Sequence, residues 1–558
     1  MTPRGEAGTA WRVIIGPPGT GKTTRLLQFL QQEIDSGLTT TSIAFLTFTR
    51  AARDEARGRV GDLFGLVPED LPWFRTIHSA AYALLGLKRG TVLSRSDWHA
   101  FGCRFGYRLS DLEQHGDDYA SELPSRTRDD LLRFAHDWGA NRRLGIAGTL
   151  RHCPVDVSPV HYPLFVERLR TFKGEHGLLD FPDMLVRVIE KGLCPDVAVV
   201  FLDEAQDLSP LQIAVFEQWA DPCRRVYVAG DDDQAIYSFQ GADPSWLCGL
   251  AKRYPVEILQ QSHRVPRTVF EIAQTVIGGN RARIVKVYRP TASDGLVERI
   301  ETNKLVGILD PRTDTLVIAR NREFLRSVAR ALYEARVPYV VEGPGGINPL
   351  GNVDVVRAVR TSIAIFTGRP VDASDLETLL TFIPSRGHDL LPHGVKQRVK
   401  ERRGAISIEA MRDDLGLGGL LDRIHLKGPC EVLLKLSASE RGFLQDVVAR
   451  HGEVPEPAIH LTTIHGAKGR EAETVVVIPD MSRATYREYT DHSRGGFEAE
   501  NRVAYVAVTR AKRRLILVEP RTRRFFDYPT PQLLSMIGSR PAAGSIPSDR
   551  ADVRERHA

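Results

Sequence analysis

The chain carries two series of short, nearly unbroken apolar runs. The first is RVII at 12–15, SIAFLTF at 42–48, VAVVFLDE at 197–204 and RVYVAGD at 225–231. The second is TLVIAR at 315–320, ETVVVIP at 473–479 and RRLILVE at 513–519. Strands covered on both faces read as continuous Val/Ile-rich runs, whereas half-exposed strands alternate. Helical spacing appears between the runs: Leu27, Leu30 and Ile34 share one face, as do Phe324, Val328 and Leu332. Two series of buried strands with amphipathic helices between them predict an α/β fold with two parallel-sheet lobes.

Two stretches break this alternation. Residues 91–190 are rich in Arg, Asp, His and Trp and hold few strand-like runs, and residues 373–455 read as short helices between Gly/Pro breaks. Both are expected to be mainly helical insertions. The first lobe then comprises 1–90 and 191–262, and the second comprises 263–372 and 456–540. The polar stretch 541–558 is expected to be a flexible tail.

Composition narrows the class without deciding it. A chain of 558 residues with 42% hydrophobic and 26% charged residues has the balance of a folded, multidomain protein. Its formal charge of +5 permits a polyanionic partner through a local basic groove. The six cysteines are scattered with no C-x-x-C pair, which points away from a zinc or iron–sulfur centre. No signal peptide or membrane-spanning run is evident, so the expected location is cytoplasmic, with no membrane partner.

Chemistry enters with IIGPPGTGKTT, which fits G-x-x-x-x-G-K-[ST] between a strand-like run and an amphipathic helix. Gly16, Pro17, Pro18, Gly19, Thr20, Gly21, Lys22, Thr23 and Thr24 are the expected nucleotide-binding loop. Its backbone N–H groups and helix N-terminus are suited to phosphate, Lys22 to the β and γ phosphates, and the Thr23 hydroxyl to Mg²⁺. The strand-like VVFLDEAQD ends in two carboxylates, which a parallel sheet presents at its C-terminal edge. Asp203 is expected to hold Mg²⁺ with Thr23, and Glu204 to orient and deprotonate a water. Hydrolysis of a nucleoside triphosphate follows.

What the hydrolysis drives is read from later motifs. GPPGTGKT, TFTRAARDEA, TIHS, DFPDML, LDEAQDLSPLQ, GDDDQAIYSFQGA, SHRVP, TIHGAKGRE and YVAVTRAK occur in this order over nearly the whole chain. In this series the chain resembles the superfamily 1 helicases of the UvrD/Rep/PcrA group. The resemblance implies two RecA-like lobes with the inserted subdomains 1B and 2B, and ATP hydrolysis in the cleft between the lobes. It implies that Arg264 and Arg510 reach the γ-phosphate from the second lobe, that Gln234 senses it, and that Glu471 meets the ribose. It also implies a single DNA strand lying across Phe48, Thr49, His78, Tyr237, Phe239, Thr463 and His465, aromatic stacking being tolerant of base sequence.

This sequence departs from the group at several positions. No glutamine motif precedes the P-loop, His263 stands where a tyrosine commonly stacks on adenine, Arg470 and Ala472 replace apolar and aromatic residues, and Gln240 stands where relatives carry arginine. The three acids Asp231, Asp232 and Asp233 suggest a metal at first sight. Beside the P-loop they read as turn and supporting groups, with Mg²⁺ left to Thr23 and Asp203.

The expected function is an ATP-dependent DNA helicase moving 3′ to 5′ on single-stranded DNA. Its expected partners are single strands, single-strand/duplex junctions, and proteins of repair or recombination. Two alternatives stand beside it: a translocase that strips proteins or serves a nuclease with little unwinding, and an ATP-gated nucleic-acid-binding regulatory module.

Overall fold

The computed structural model describes residues 9–110, 127–342, 349–385, 390–491 and 495–529; the stretch expected to be a flexible tail lies outside them. The first sheet is built from β1 (Ala10–Ile15), β2 (Ile43–Thr47), β3 (Phe74–Thr76), β4 (Val199–Leu202), β5 (Arg225–Gly230) and β6 (Val256–Ile258). They lie side by side in the order β3-β2-β4-β5-β1-β6, and every pairing is parallel. Cores on its two faces, one around Leu202, Val228 and Trp219 and one around Phe45, Phe201 and Tyr227, account for the unbroken apolar runs.

The second sheet uses β7 (Leu296–Ile300), β8 (Thr315–Ala319), β9 (Val340–Val341), β12 (Ile459–Thr463), β13 (Ala472–Ile478) and β14 (Ala511–Val518). Its order is β7-β14-β13-β8-β12-β9, again parallel throughout. A short antiparallel pair, β10 (Val371–Asp372) and β11 (Ala405–Ile406), lies apart from both sheets. Two parallel sheets with helices on both faces form two RecA-like lobes.

The inserted segments behave differently from one another. Helices Arg95–Phe105, Arg128–Asn141 and His161–His176 make a core of their own around Phe101, Trp138 and Phe165. Helix Phe181–Glu190, at the end of the same stretch, buries Leu185 and Val188 against the first sheet instead. Among the described residues, the later segment has no separate core. Leu376, Leu420, Leu421 and Phe443 share one continuous cluster with Val317, Val476 and Ile516 of the second sheet, and helix Val353–Phe366 lies in it as well. Among the described residues no helix is long and apolar enough to cross a membrane.

Candidate active site and nucleic-acid interface

Three neighbouring strands of the first sheet, β4, β5 and β1, end at the same edge, and each delivers one part of the site. β1 runs into the loop 16–21, and helix Lys22–Asp35 follows it. Gly16 is required by crowding, since a Cβ there would sit 2.1 Å from Lys22 Cγ. Gly19 has φ +71°, and a Cβ there would sit 2.4 Å from Arg264 Cβ. The helix starts on left-handed Gly21 with no side-chain cap and no acid in its first turn, so its N–H groups are left to an anion. Thr20 Oγ1 donates to Pro17 O at 2.8 Å and Lys22 Nζ to Gly16 O at 3.2 Å, which ties the loop to itself. Thr24 accepts from Arg59 at 3.4 Å.

β4 delivers the paired carboxylates. Thr23 Oγ1 donates to Asp203 Oδ2 at 2.5 Å, so the two expected Mg²⁺ ligands already touch. Hydroxyl and carboxylate oxygen are the hard donors Mg²⁺ takes, and the loop beside them is shaped by glycines for phosphate. The residues therefore fit the metal–nucleotide pair. Burial and the adjacent Glu204 push the Asp203 carboxyl up to about 6. Glu204 itself adopts φ 55°, a left-handed conformation uncommon for a residue with a Cβ, and strain of this kind collects at working sites. Burial pushes its carboxyl up, but Lys22 at 3.7 Å, Lys468 at 3.9 Å, the Gln206 amide and Arg510 outweigh that and hold it near about 2. These cations favour the ionised form of Glu204.

β5 delivers the acidic stretch, and the three aspartates hold no metal site. Asp231, Asp232 and Asp233 are fully buried around the Nζ of Lys286, which is itself buried. Among the described residues, no group of three or more His, Cys, Asp or Glu is arranged to hold a metal ion. Gln234 follows, with Nε2 donating to Asp231 Oδ2 at 2.8 Å and Oε1 accepting from Arg510 Nη2 at 3.0 Å.

The second lobe closes over this edge. At the junction of the two lobes, Ser262 Oγ donates to Pro18 O at 2.8 Å and His263 N to Gly19 O at 2.9 Å, which sets the exposed His263 ring beside the P-loop. Arg510 is buried immediately before β14, and Glu471 lies immediately before the adjacent β13. Burial and neighbouring Arg264 pull the Arg510 guanidinium below its ordinary value, partly offset by Glu204 and Glu471. Arg264 Nε donates to Glu471, and Lys512 pairs with the same carboxylate at 2.9 Å. Lys512 is therefore part of the cleft wall.

The residues expected to face a strand divide into two groups. Phe48, Tyr237 and Phe239 are half-buried and contiguous: Phe48 lies 5.1 Å from Tyr237, and Tyr237 6.1 Å from Phe239, between ring centroids. His78, Thr463 and His465 lie beneath the surface, at 6%, 1% and 2% exposure. His465 packs edge-on against Phe239 at 5.1 Å, and its Nε2 faces Ile236 O at 3.2 Å. Thr463 accepts from Gly466 N and shapes the turn after β12, and Thr49 caps helix Arg50–Phe64 by accepting from Ala52 N at 3.1 Å. His78, Thr463 and His465 lie beneath the aromatic surface, and the half-buried Thr49 lies next to Phe48. Beside it, Phe48, His78, Asn141, Asp207, Ser209, Gln212 and Gln240 line a shallow cleft. Arg142 stands next to Gln240, donating to Gly241 O at 3.4 Å and lying 3.6 Å from Asp243.

The family of the chain follows from comparison with known proteins. Residues 6–255 match the UvrD/REP helicase N-terminal domain, and residues 441–521 the UvrD-like helicase C-terminal domain. The chain belongs to the UvrD/Rep/PcrA-like helicases of superfamily 1A. Relatives in this family include ATP-dependent DNA helicase UvrD2 of Mycobacterium tuberculosis (strain H37Rv), 24% identical over 93% of this chain and 77% of the relative. DNA helicase II of Escherichia coli (strain K12) is 22% identical over 92% of this chain and 83% of its own length.

Within this UvrD-like site, Lys468 joins the two halves. Lys468 Nζ pairs with Asp207, donates to Gln234 O at 2.8 Å and lies 5.1 Å from the Tyr237 ring centroid. Its position in TIHGAKGRE was visible in sequence, but its partners are more than two hundred residues away.

Proposed function

We propose that this UvrD-like chain is an ATP-dependent DNA helicase that hydrolyses ATP between its lobes and moves along single-stranded DNA. The observation that carries this reading is the stretch from Asp231 to Phe239. Its first end bonds to Arg510 through Gln234, and three residues later Tyr237 enters the aromatic surface. Lys468 touches both ends, through Gln234 O and the Tyr237 ring. A shift at the nucleotide is thereby a shift at the bases.

In this reading the P-loop amides and Lys22 bind the phosphates, and Thr23 and Asp203 hold Mg²⁺. Bound there, Mg²⁺ neutralises charge on the phosphate oxygens. Glu204, held ionised, accepts a hydrogen bond from the attacking water and takes its proton. Arg510 is already aimed into the cleft. Arg264 must exchange Glu471 for phosphate, which leaves Glu471 free to meet the ribose. Arginines supplied by the opposite lobe raise phosphoryl-transfer rates by about 10³ or more, so hydrolysis depends on closure. Phe48, Tyr237 and Phe239 stack bases, each stack contributing about 1–3 kcal/mol.

The 3′ to 5′ direction is the one the family resemblance implies. Strand displacement on 3′-tailed, 5′-tailed and blunt duplexes tests it: displacement of the 3′-tailed duplex alone is expected, and displacement of the 5′-tailed duplex alone reverses the assignment. Single-stranded DNA is expected to stimulate hydrolysis strongly, and equal rates with and without DNA remove the motor reading. A second reading, a translocase with little unwinding, is favoured by one observation. The described residues of 373–455 share the core of the second lobe and do not form a separate body. Strong DNA-stimulated hydrolysis without displacement of any duplex selects it.

A further inference from the structure

We propose that Lys286 is a positioning residue that fixes the orientation of Gln234 through the carboxylate of Asp231. It lies in the extended segment after helix Arg267–Ile277, where Arg283, Lys286 and Tyr288 turn inward while Val285 and Val287 are 78% and 79% exposed. The inward side chains make a buried cluster that the hydrolytic scheme above does not use.

The Nζ of Lys286 lies 2.7 Å from Asp231 Oδ1 and 2.9 Å from Asp233 Oδ2, and it also donates to Asp232 Oδ1. All four side chains are wholly excluded from solvent. Each carboxylate has a different further partner. Asp233 takes the Arg283 guanidinium in two bonds, at 2.8 and 2.5 Å. Asp232 Oδ2 accepts from Ile284 N at 2.8 Å. Asp231 Oδ2 accepts from Gln234 Nε2 at 2.8 Å. Of the three, Asp231 is the one that passes its second oxygen to a group lining the ATP cleft.

Donor and acceptor chemistry then leaves the Gln234 amide no choice. An ionised carboxylate only accepts and a guanidinium only donates. The amide must turn its NH₂ toward Asp231 and its oxygen toward Arg510, as observed. The order depends on Asp231 remaining anionic in a dry site, and the ammonium beside it keeps it so. Burial pushes the Asp231 carboxyl up, and Lys286 and Lys22 overcome that and hold it below its ordinary value. Arg502 fastens the same turn from the second lobe, donating to Asp232 O at 3.1 Å and Ala282 O at 2.9 Å.

The inference rests on Gln234 acting in the nucleotide response, so the test separates the two. Lys286→Met is combined with Asp232→Asn, which removes one charge of each sign and keeps an acceptor for Ile284 N. Thermal unfolding and steady-state ATPase with saturating single-stranded DNA are measured for this pair, for Gln234→Ala, and for all three changes together. The expected result is a pair with near-normal melting temperature, kcat lowered about tenfold or more, and KM for ATP within about threefold. Added to Gln234→Ala, the pair should cause no further loss, because residues acting in one chain are non-additive. Normal kcat in the folded pair, or a full additional loss on Gln234→Ala, overturns the proposal. Normal kcat in Gln234→Ala alone overturns the reading of Gln234 instead. Should the pair fail to fold, Asp231→Asn keeps Lys286 and two of its carboxylates and must show the same loss in kcat; a wild-type kcat there refutes the proposal equally.

Discussion

Lys468 occupies a position where one ammonium answers to three demands. It neutralises Asp207, caps the carbonyl of Gln234 and contributes to holding Glu204 ionised, all while lying near the Tyr237 ring. Removing it leaves buried Asp207 with the Gln206 amide but no ammonium, beside Glu204, the proposed base. Lys468→Met is therefore expected to lower kcat about 10- to 100-fold and to blunt the response to single-stranded DNA. Steady-state ATPase with and without DNA measures both. His465 is a residue of the opposite kind, kept neutral. Burial and the nearby Arg320 depress its pKa well below 6.5. The unfolded chain binds a proton there before the folded chain does, so the stability His465 allows is complete above about pH 6.5 and falls as the pH drops toward the folded value. His465→Gln is expected to flatten the decline in melting temperature between about pH 7 and 5, as thermal unfolding at several pH values would show.

At the scale of elements, the helices of residues 353–455 are structural members of the second lobe. Leu421 is fully buried in the cluster that also holds Val317 and Ile516. Leu421→Ala is expected to cost about 2–5 kcal/mol, and denaturant unfolding should show the whole second lobe weakened, not an isolated helical unit. This continuity was hidden in sequence, where Gly/Pro breaks suggest a separate insertion. The strands show the same limit. β1, β2, β4, β5, β8, β13 and β14 were legible because both faces are covered and the runs are continuous. β7 is an edge strand with exposed Leu296, β3 and β6 are three residues long, and β12 interleaves His460, Thr462 and Thr463 with its apolar residues. The P-loop and the Asp203–Glu204 pair were legible because their chemistry is local. Lys286 was not, because its meaning depends on three carboxylates more than fifty residues away.

For the whole molecule, the bonds between lobes converge on few residues. His263 holds Gly19, Arg283, Lys286 and Arg502 hold the turn at Asp231, Asp232 and Asp233, Arg510 and Lys468 hold Gln234, and Tyr237 OH donates to His465 O at 3.4 Å. A ligand that tightens the cleft should therefore stiffen both lobes. A non-hydrolysable ATP analogue with single-stranded DNA is expected to slow hydrogen exchange at 230–240 and 459–471 together, as mass spectrometry of the peptides would report. Slowing confined to the P-loop would mean the two lobes respond separately.

The strand order of the first sheet also bears on how the protein comes to exist in a cell. β1 pairs with β5 and β6, not with β2, its successor along the chain. On the ribosome those partners emerge on the order of 200 residues later, which at ordinary synthesis rates is roughly 10–40 s. Through that interval an apolar strand and the glycine loop attached to it wait without neighbours. The nucleotide site is thus encoded early and assembled late, and a nascent chain stalled before residue 225 should be a client for chaperones and unable to bind ATP.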